Sequence, residues 1–321
     1  MNIIPTTLDA GAVPYTVVGA PKSGPGGDPY ALSVVLLNRG SRLYRGDALG
    51  ALEGAGLGPI VSVEPNSDTR DIEALSASHG GTRFLLLSES ASPGVQINLA
   101  IRESPGPYVF VIWSDMALSS QGLSSRFFER LSERNILCQA PSLFARGGDQ
   151  VPAAASPAFN GSSLKLLSLP PATDGTRTLF PFDYAGIYSR EKFVLTGGFD
   201  AGIPNPYWQK LDFGFRSWLW GEEIRISQAL KVSYADAPTT EDETPDECYK
   251  WFWLKNLAPS FNGDSGTVPP YRFWSYLRSR RRGAVSALGE FRAAREWVRI
   301  NRYRFRTDAA SLVDLWDESE R

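Results

Sequence analysis

Residues 31–39 of this 321-residue chain read ALSVVLLNR, an apolar run of strand length that ends in Asn38 and Arg39. Continuous aliphatic and β-branched residues of this length are typical of a strand that helices cover on both faces, as in a parallel sheet. Similar runs recur downstream, with helical patterns between them. The strands that we predict are 31–37, 60–63, 83–87 and 108–113, and the helices between them include 40–52 and 94–103. This alternation predicts an α/β fold with a parallel sheet.

Polar side chains follow the predicted strands at the point where each strand ends. Asn38 and Arg39 follow the first strand, Glu64 follows the second, and Asp115 follows the fourth. Ligands of open α/β sheets bind beyond the carboxyl ends of the strands. We therefore expect a binding site at this edge of the sheet.

The second half of the chain predicts less regular structure. Residues 147–178 are rich in Pro, Ala, Ser and Gly, which favours irregular connections. Regular structure is expected again at 182–193, followed by a helix at 211–220 and short strand segments at 224–234.

The composition excludes several kinds of metal and redox site. His79 is the only histidine, and Cys138 and Cys248 are the only cysteines. These residues are too few for a zinc site built on imidazoles or thiolates, and they argue equally against a haem or iron–sulfur protein. A formal net charge of -2 gives no overall attraction to nucleic acid.

No segment has the features of a secretory signal or of a membrane span. The first residues lack a cationic start followed by an apolar run. The longest apolar runs, such as 108–113, are far shorter than the roughly 20 residues that a spanning helix needs. We expect a cytoplasmic protein in which both cysteines are reduced.

Charge is distributed unevenly over the last third of the chain. Residues 236–247, here called the acidic segment, carry six acids and no base, whereas residues 272–306 carry eleven arginines. Solvated helix faces are the first interpretation of these arginines. Peripheral attachment to the inner face of an anionic membrane is the second, and nucleic-acid binding ranks third.

Six short motifs follow one another between residues 31 and 235. They are Leu37-Asn38-Arg39, Glu64-Pro65-Asn66-Ser67, Gly94-Val95-Gln96-Ile97-Asn98, Trp113-Ser114-Asp115, Gly197-Gly198-Phe199-Asp200 and the stretch 209–216. In this order they resemble the GT-A-fold glycosyltransferases, specifically family 2. The resemblance implies a mixed, mainly parallel sheet flanked by helices. It divides the chain into an N-terminal arm (1–30), a GT-A domain (31–235) and a C-terminal acidic and Arg/aromatic-rich helical extension (236–321).

The resemblance also implies a role for each motif. A sugar nucleotide carries a diphosphate leaving group, which a divalent cation can stabilise. Asp115 would hold that cation, Mn²⁺ or Mg²⁺. The donor nucleotide would be bound by Asn38, Glu64, Asn98, Ser114, Asp115 and Lys210, and the acceptor side would be formed by Gly197, Gly198, Trp208 and Arg216.

Four residues, at three sites, depart from the family pattern. Trp113 stands where the first Asp of the Asp-x-Asp metal motif is expected. Gln209 and Lys210 replace the acidic pair that supplies the usual base, and Tyr234 lies roughly where many members have a metal-binding histidine. The protein is then inactive, or independent of metal with Lys210 or nearby arginines neutralising the diphosphate, or active with a relocated base.

A relocated base would have to take the proton of the acceptor hydroxyl. We prefer Asp212, because it keeps its place in the family pattern, with Asp200 next. An ion pair between Asp212 and Arg216, four residues apart on a helix, is the structural alternative. The other carboxylates that we consider are Asp183, Glu222 and Glu223.

The function that these residues predict is transfer of a sugar from a nucleotide-sugar donor to a saccharide or lipid-linked acceptor, with inversion, in glycan or envelope saccharide synthesis. A catalytically inactive GT-A-like binding or scaffold protein is the alternative. A sugar-phosphate nucleotidyltransferase is a weaker alternative, suggested by the Gly40-Ser41-Arg42-Leu43 stretch after the first strand.

Overall fold

The computed structural model describes residues 13–20, 32–39, 42–65, 71–119, 123–160, 163–278 and 284–316. The strands in these ranges are β1 Tyr15–Gly19, β2 Leu32–Leu37, β3 Ile60–Glu64, β4 Thr82–Leu87, β5 Tyr108–Trp113, β6 Met116–Leu118, β7 Cys138–Phe144, β8 Ala154–Asn160, β9 Ser163–Leu169, β10 Thr176–Arg177, β11 Gly186–Ser189, β12 Ile224–Tyr234, β13 Ser260–Asn262 and β14 Ser265–Thr267. The α-helices are α1 Arg42–Gly54, α2 Ile72–Ser78, α3 Pro93–Glu103, α4 Ser125–Arg134, α5 Arg190–Leu195, α6 Pro206–Leu219, α7 Glu247–Phe252, α8 Arg272–Arg278, α9 Ala284–Asn301 and α10 Ala309–Asp314. A short π-helix, Trp253–Leu257, continues α7, and 3₁₀ turns lie at Phe182–Tyr184 and Arg302–Arg304.

A mixed sheet of ten strands forms the centre of the fold, in the order β1-β4-β3-β2-β5-β11-β7-β12-β10, with β6 added beside β12. Strands β4, β3, β2 and β5 are parallel neighbours, and β7 and β12 form a second parallel pair. Strand β11 lies antiparallel between these two blocks. The predicted mixed, mainly parallel sheet flanked by helices is confirmed.

The four strands predicted in the first half lie within one residue of their observed bounds. All six residues of β2 are buried, as are five of the six in β5. This burial explains why these strands are apolar without alternation, since helices cover both faces of the sheet. Residues 224–234 form a single strand, β12, with a register shift between Ser227 and Lys231, rather than the separate short segments that we expected.

Two predictions about irregular chain are wrong. Within the expected N-terminal arm, β1 pairs antiparallel with β4 and forms an edge of the sheet. Within the expected loop 147–178, β8 and β9 form a two-stranded antiparallel hairpin outside the main sheet. Backbone hydrogen bonds stabilise both elements: β1 pairs with β4, which is distant in sequence, and β8 pairs with the adjacent β9. Amino-acid composition does not reveal such pairing.

Helix α6 joins two hydrophobic cores. Residues 207–219 are buried throughout, as expected for a helix with packing partners on every side. On one side the Phe213 ring lies 4.4 Å from that of Phe199 over the sheet, and on the other Phe215 lies 5.4 Å from Phe252 of α7. The C-terminal extension therefore packs onto the sheet domain through a shared helix, and the division at residue 235 stays a prediction.

The arginine-rich tail is described only in part, because residues 279–283, which contain three of its arginines, lie outside the described ranges. Trp253 stacks on Tyr276 with ring centroids 6.0 Å apart, and Phe273 packs on Phe291, so part of the tail's aromatic content fills the second core. No helix in the described ranges is both long and apolar enough to cross a bilayer. Attachment to a membrane surface and nucleic-acid binding stay predictions.

The tight approach of α6 to the chain before the Phe182–Tyr184 turn depends on Gly214. A Cβ at this position would lie 2.2 Å from the carbonyl oxygen of Leu179, whereas a Cβ at Gly289 in α9 would meet nothing within 4 Å. We expect Gly214→Ala to lower the free energy of unfolding by about 2 kcal/mol, and Gly289→Ala to raise it by up to about 1 kcal/mol. Urea unfolding of both variants checks this, and equal effects would contradict it.

Candidate functional site at the ends of β2, β3 and β5

The parallel strands bring the predicted polar residues to one edge. Because β2 pairs in register with β3 and β5, Asn38, Glu64 and Ser114 lie side by side at the carboxyl ends. The Asn38 amide donates to the Val63 carbonyl at 2.8 Å and to the Glu64 carboxylate at 3.2 Å. The Ser114 hydroxyl donates to the carbonyl of Arg39 at 3.0 Å. The strand ends are thus tied to one another by their own side chains.

Glu64 is fully buried in this edge. Its Oε2 lies 2.6 Å from a guanidinium nitrogen of Arg45 in α1, and its Oε1 accepts from Ser62 Oγ at 2.7 Å as well as from Asn38. A buried carboxylate needs such partners. Glu64 therefore fastens α1 to β3, and its contact with a nucleotide stays a prediction that requires one of these partners to move.

Arg39 lies at the centre of the site. Its Nε donates to Asp115 at 2.8 Å, and its two terminal nitrogens lie 2.9 and 2.7 Å from the two oxygens of Asp183. The guanidinium carbon lies 4.3 Å from the ring centroid of Trp113 and 5.8 Å from that of Tyr234. Burial by itself lowers the pKa of Arg39, but the hydrogen bonds and charges of Asp183 and Asp115 outweigh it and raise that pKa.

Asp183 adopts an unusual backbone conformation. Asp183 and Tyr184 have φ angles of 53° and 62°, in the left-handed region that non-glycine residues rarely occupy. Two further bonds hold Asp183, from Tyr234 OH to its carboxylate at 3.1 Å and from the indole N–H of Trp113 to its carbonyl at 2.8 Å. Burial and the charge of Asp183 raise the pKa of Tyr234, which therefore stays a protonated donor. Strain retained in this way is typical of functional sites.

A cavity of about 300 Å³ opens beside this cluster. Lys210 is buried in its wall, with the ammonium 5.1 Å from the Tyr184 ring centroid and ion-paired with Glu241 of the acidic segment. The acidic segment thus supplies one wall of the cavity and neutralises its lysine. The lining includes Arg39, Trp113, Asp183, Tyr184, Tyr207, Lys210, Glu241 and Asp242.

Asp212 and Arg216 lie beneath the cavity rather than in its lining. Asp212 is fully buried, ion-paired with Arg216, and accepts from the Asn256 amide at 2.8 Å. Arg216 also donates to the carbonyls of Thr196, at 3.1 Å, and Gly198. The structure therefore shows the ion pair between Asp212 and Arg216 that we considered as the alternative to a catalytic base. The network holds the turn at 197–200, whose two glycines have φ angles of 85° and 63°.

Asp200 is likewise engaged. Its carboxylate pairs with Lys255 of the π-helix and accepts from the Gly202 amide at 2.8 Å. Burial by itself raises the pKa of Asp200, but the charge and hydrogen bond of Lys255 outweigh it and leave that pKa below the ordinary value. Neither Asp200 nor Asp212 lines the cavity. Catalysis by either one stays a prediction, and it requires a rearrangement.

Gln209 uses its whole amide in place of the expected acid. Its NH₂ donates to Ser92 Oγ at 3.0 Å and to the Asp200 carbonyl at 2.9 Å, and its oxygen accepts from the Gly94 amide at 3.0 Å and from Tyr184 OH at 3.1 Å. Two donors and two acceptors are all that an amide side chain offers. Gln209 therefore links α3, α6 and the strained turn, and a carboxylate could not make both donor contacts.

The remaining predicted residues have structural contacts. Asn98 bonds both ends of its amide to the backbone of Phe199, at 2.7 and 2.9 Å. The Trp208 indole donates to the Thr244 carbonyl at 3.0 Å, and its ring packs in the second core. Glu222 and Glu223 pair with Lys192 and Arg225. None of these four predicted residues lines the cavity, so donor or acceptor contact by them stays a prediction.

The donor set around Asp115 does not suit a divalent cation. Asp115 and Asp183 both face the guanidinium of Arg39, and Trp113 and Tyr234 provide neither carboxylate nor imidazole. Elsewhere in the described ranges, no three or more His, Cys, Asp and Glu side chains come together in a group that could hold a metal. The metal site that the resemblance implies at Asp115 is therefore not formed by these residues.

Sequence reasoning places Arg39 at a strand end and considers Asp183 among several acids, but it does not predict that the two residues pair. The signal was present in Trp113 and Tyr234, since aromatic faces in place of metal ligands suit an organic cation.

No family model matches the chain, and no curated protein matches it. Among solved structures it is similar to GalNAc-T7 with UDP, GalNAc and Mn²⁺, with a TM-score of 0.55 and 12% identity over 90% of this chain and 56% of that one. The chain thus spans little more than half of that protein. This likeness shows a GT-A-type fold.

Weaker likenesses, which carry no argument, are to S. aureus TarS. One structure gives a TM-score of 0.49 and 13% identity over 82% of this chain and 43% of that one. The other, TarS 1–349 in complex with UDP-GlcNAc, gives 0.46 and 12% over 90% and 87%.

The amide of Gln209 provides a test of the site's architecture. We expect Gln209→Glu to lower the free energy of unfolding by about 2 kcal/mol, because a buried carboxylate would face the Asp200 carbonyl without a proton to donate. Gln96→Glu is the matched control, since the half-buried Gln96 makes a single bond, to the Ala91 carbonyl at 2.9 Å. Urea unfolding near neutral pH measures both, and a Gln209→Glu variant as stable as the control would contradict the assignment.

The Asp200–Lys255 pair predicts a pH dependence of stability. The pKa of Asp200 is lowered in the folded state, so its contribution is present above the unfolded value of about 3.9 and is lost as pH falls through the folded value. We expect the stability gap between wild type and Asp200→Asn to be constant above about pH 5 and to shrink below about pH 4. Urea unfolding across this range measures the gap. A gap that widens on acidification would contradict the ion pair.

Proposed function

We propose that this protein is a glycosyltransferase that transfers a sugar from a nucleotide-diphospho-sugar, bound at the carboxyl ends of β2, β3 and β5. The observation that carries the proposal is a cavity at this edge whose lining includes two cationic side chains, Arg39 and Lys210. The GT-A-type fold supports it, and GalNAc-T7, which shares that fold, was crystallised with UDP, GalNAc and Mn²⁺. An inverting single displacement and a saccharide or lipid-linked acceptor belong to the same proposal.

The chemistry that the cavity would perform is stabilisation of a departing diphosphate. The leaving group gains negative charge as the bond to the anomeric carbon breaks, and positioned cations in a low-dielectric cavity stabilise that charge most effectively. Lys210 is 3% exposed and now pairs with Glu241. A donor phosphate would therefore compete with Glu241 for the ammonium.

The base in this proposal comes from the cavity wall. Asp200 and Asp212, which we predicted for this role, are buried in ion pairs outside the lining. The carboxylates that line the cavity are those of Asp183, Glu241 and Asp242. Glu241 has one oxygen, Oε2, that is buried without a hydrogen-bond partner among the described residues. Once a donor phosphate replaces Glu241 on Lys210, the Glu241 carboxylate becomes available to take the proton of an acceptor hydroxyl.

A noncatalytic binding protein is the second candidate. It is favoured by Gln209, whose amide occupies the place of the usual acid and is fully used in structural bonds. The nucleotidyltransferase alternative depends on Gly40 and Ser41, which lie outside the described residues.

Titration calorimetry with UDP, GDP and their sugar conjugates, with and without Mn²⁺, tests the proposal, followed by assays for release of the free sugar. Binding with turnover supports the transferase. Binding with neither hydrolysis of the donor nor transfer to any saccharide acceptor offered supports the noncatalytic candidate. Failure of every nucleotide to bind would overturn both.

The Lys210–Glu241 pair makes a specific prediction. We expect Glu241→Gln to raise the affinity for UDP by about tenfold, because it removes the carboxylate that competes for Lys210, and Lys210→Met to lower it by a similar factor. Glu243→Gln is the matched control, since it makes the same charge change in the acidic segment outside the cavity lining. Equal effects of Glu241→Gln and Glu243→Gln in calorimetry would show that only the overall charge matters.

A further inference from the structure

We propose that the guanidinium of Arg39 is a built-in cation that occupies the place of the divalent metal and binds the donor diphosphate without one. The inference rests on the proposed function, since it specifies how the same cavity holds the same ligand. It is carried by the contacts that Arg39 makes with the residues at the expected metal position.

Each residue at that position contacts Arg39 or its partner. Asp115, the remaining acid of the motif, accepts from its Nε at 2.8 Å. Trp113, in place of the first acid, lies under the guanidinium at 4.3 Å, and Tyr234, in place of the histidine, lies 5.8 Å away and donates to Asp183. Two aromatic faces and two carboxylates are a suitable environment for a planar organic cation. The departures from the family pattern thus have a common explanation.

A divalent ion and this guanidinium would exclude each other. A metal at Asp115 would compete with Arg39 for that carboxylate, and the nearby Asp183 is also in direct contact with Arg39. An ion bound to Asp115 would place two like charges within a few ångströms in a partly buried site, where water screens them poorly. Neither a second carboxylate at 113 nor an imidazole at 234 is present to compensate.

Arg39 keeps hydrogen-bonding capacity for a ligand. A guanidinium has five N–H groups, and those of Nε and Nη1 donate one bond each to Asp115 and Asp183. Nη2 lies 2.7 Å from Asp183 but is buried without a hydrogen-bond partner among the described residues. The side chain is 18% exposed and lines the cavity. Because the carboxylates and rings fix its plane, it would meet phosphate oxygens without reorganising, which is the property that makes such donors effective in catalysis.

The local charge balance explains why Lys210 is needed as well. The single charge of Arg39 faces two carboxylates, so the cluster is net negative by one. Affinity for an anion then comes from directed N–H donors rather than from net charge, and Lys210, in the same cavity, adds the second cation. Arg39 would hold the diphosphate in place while Lys210 exchanges Glu241 for a phosphate oxygen.

The test is calorimetry with UDP, GDP and inorganic pyrophosphate, each in EDTA and in Mn²⁺. We expect wild type to bind a diphosphate in EDTA with an affinity that Mn²⁺ leaves unchanged, and Arg39→Lys to lose about tenfold or more. Arg83→Lys is the matched control. Arg83 also pairs with a carboxylate, Glu103 at 2.8 Å, and is about as buried, but it lies near the amino end of β4, away from the cavity. Melting curves establish that each variant is folded.

The outcomes separate the two proposals. Binding that requires Mn²⁺ would overturn the inference and leave the glycosyltransferase proposal standing. Binding in EDTA that Arg39→Lys does not weaken would overturn the role of Arg39. Absence of binding by any probe under either condition would overturn both proposals.

A second measurement does not depend on nucleotide binding. In Mn²⁺ titrations followed by electron paramagnetic resonance, we expect wild type and Asp115→Asn to leave the same amount of ion free, because one oxygen of Asp115 pairs with Arg39 and positions 113 and 234 offer no further metal ligand. Uptake by wild type that Asp115→Asn abolishes would place a metal at Asp115 and overturn the inference.

Discussion

A guanidinium that is partly removed from water needs carboxylates to compensate its charge. In this chain, that need determines how the residues at the edge of the sheet are arranged. Arg39 follows β2, Asp115 follows β5, and Asp183 comes from the turn before β11. The turn that brings Asp183 to Arg39 has two residues in the left-handed region, a conformation that costs on the order of 1 kcal/mol or more for each. The hydrogen bonds of Trp113 and Tyr234 to Asp183 stabilise it. Asp183 and Tyr184 of this turn line the cavity beside Lys210.

The second constraint is the burial of α6, which connects the site to the C-terminal helices. Its polar residues bond to different neighbouring elements. Gln209 bonds to α3 and Tyr184, whereas Asp212 accepts from Asn256 beyond the acidic segment. Together with the ion pair between Lys255 and Asp200, these contacts make the C-terminal extension part of the structure that supports the cavity. The acidic segment precedes these residues in the chain and places Glu241 on Lys210, so the C-terminal extension both supports the site and neutralises its lysine.

Much of the fold could be predicted because the information is local. The runs 31–37 and 108–113 are apolar over a full strand length, and burial on both faces permits no other pattern. The strand β1 and the β8–β9 hairpin could not be predicted in this way, since their stability comes from pairing partners that composition does not specify. The hydrophobic stretches therefore predict the parallel strands of the sheet, but the composition of the other stretches does not predict its edge strand β1.

The candidate site shows the same division. The position of Asn38, Glu64 and Asp115 at one edge could be predicted, because each follows directly in sequence the strand that positions it. Asp212 was preferred as a base because of its motif position, but Asn256 and Arg216 bury it, and the first of these is 44 residues away. Asp183 reaches Arg39 across 144 residues.

The most direct measurement is a crystal structure with UDP and Mn²⁺, with anomalous data collected at the manganese edge. If Arg39 is the cation of this site, the diphosphate oxygens lie within hydrogen-bonding distance of Arg39 and Lys210, and no manganese peak appears at Asp115. A manganese peak on Asp115 with Arg39 displaced from it would contradict the account.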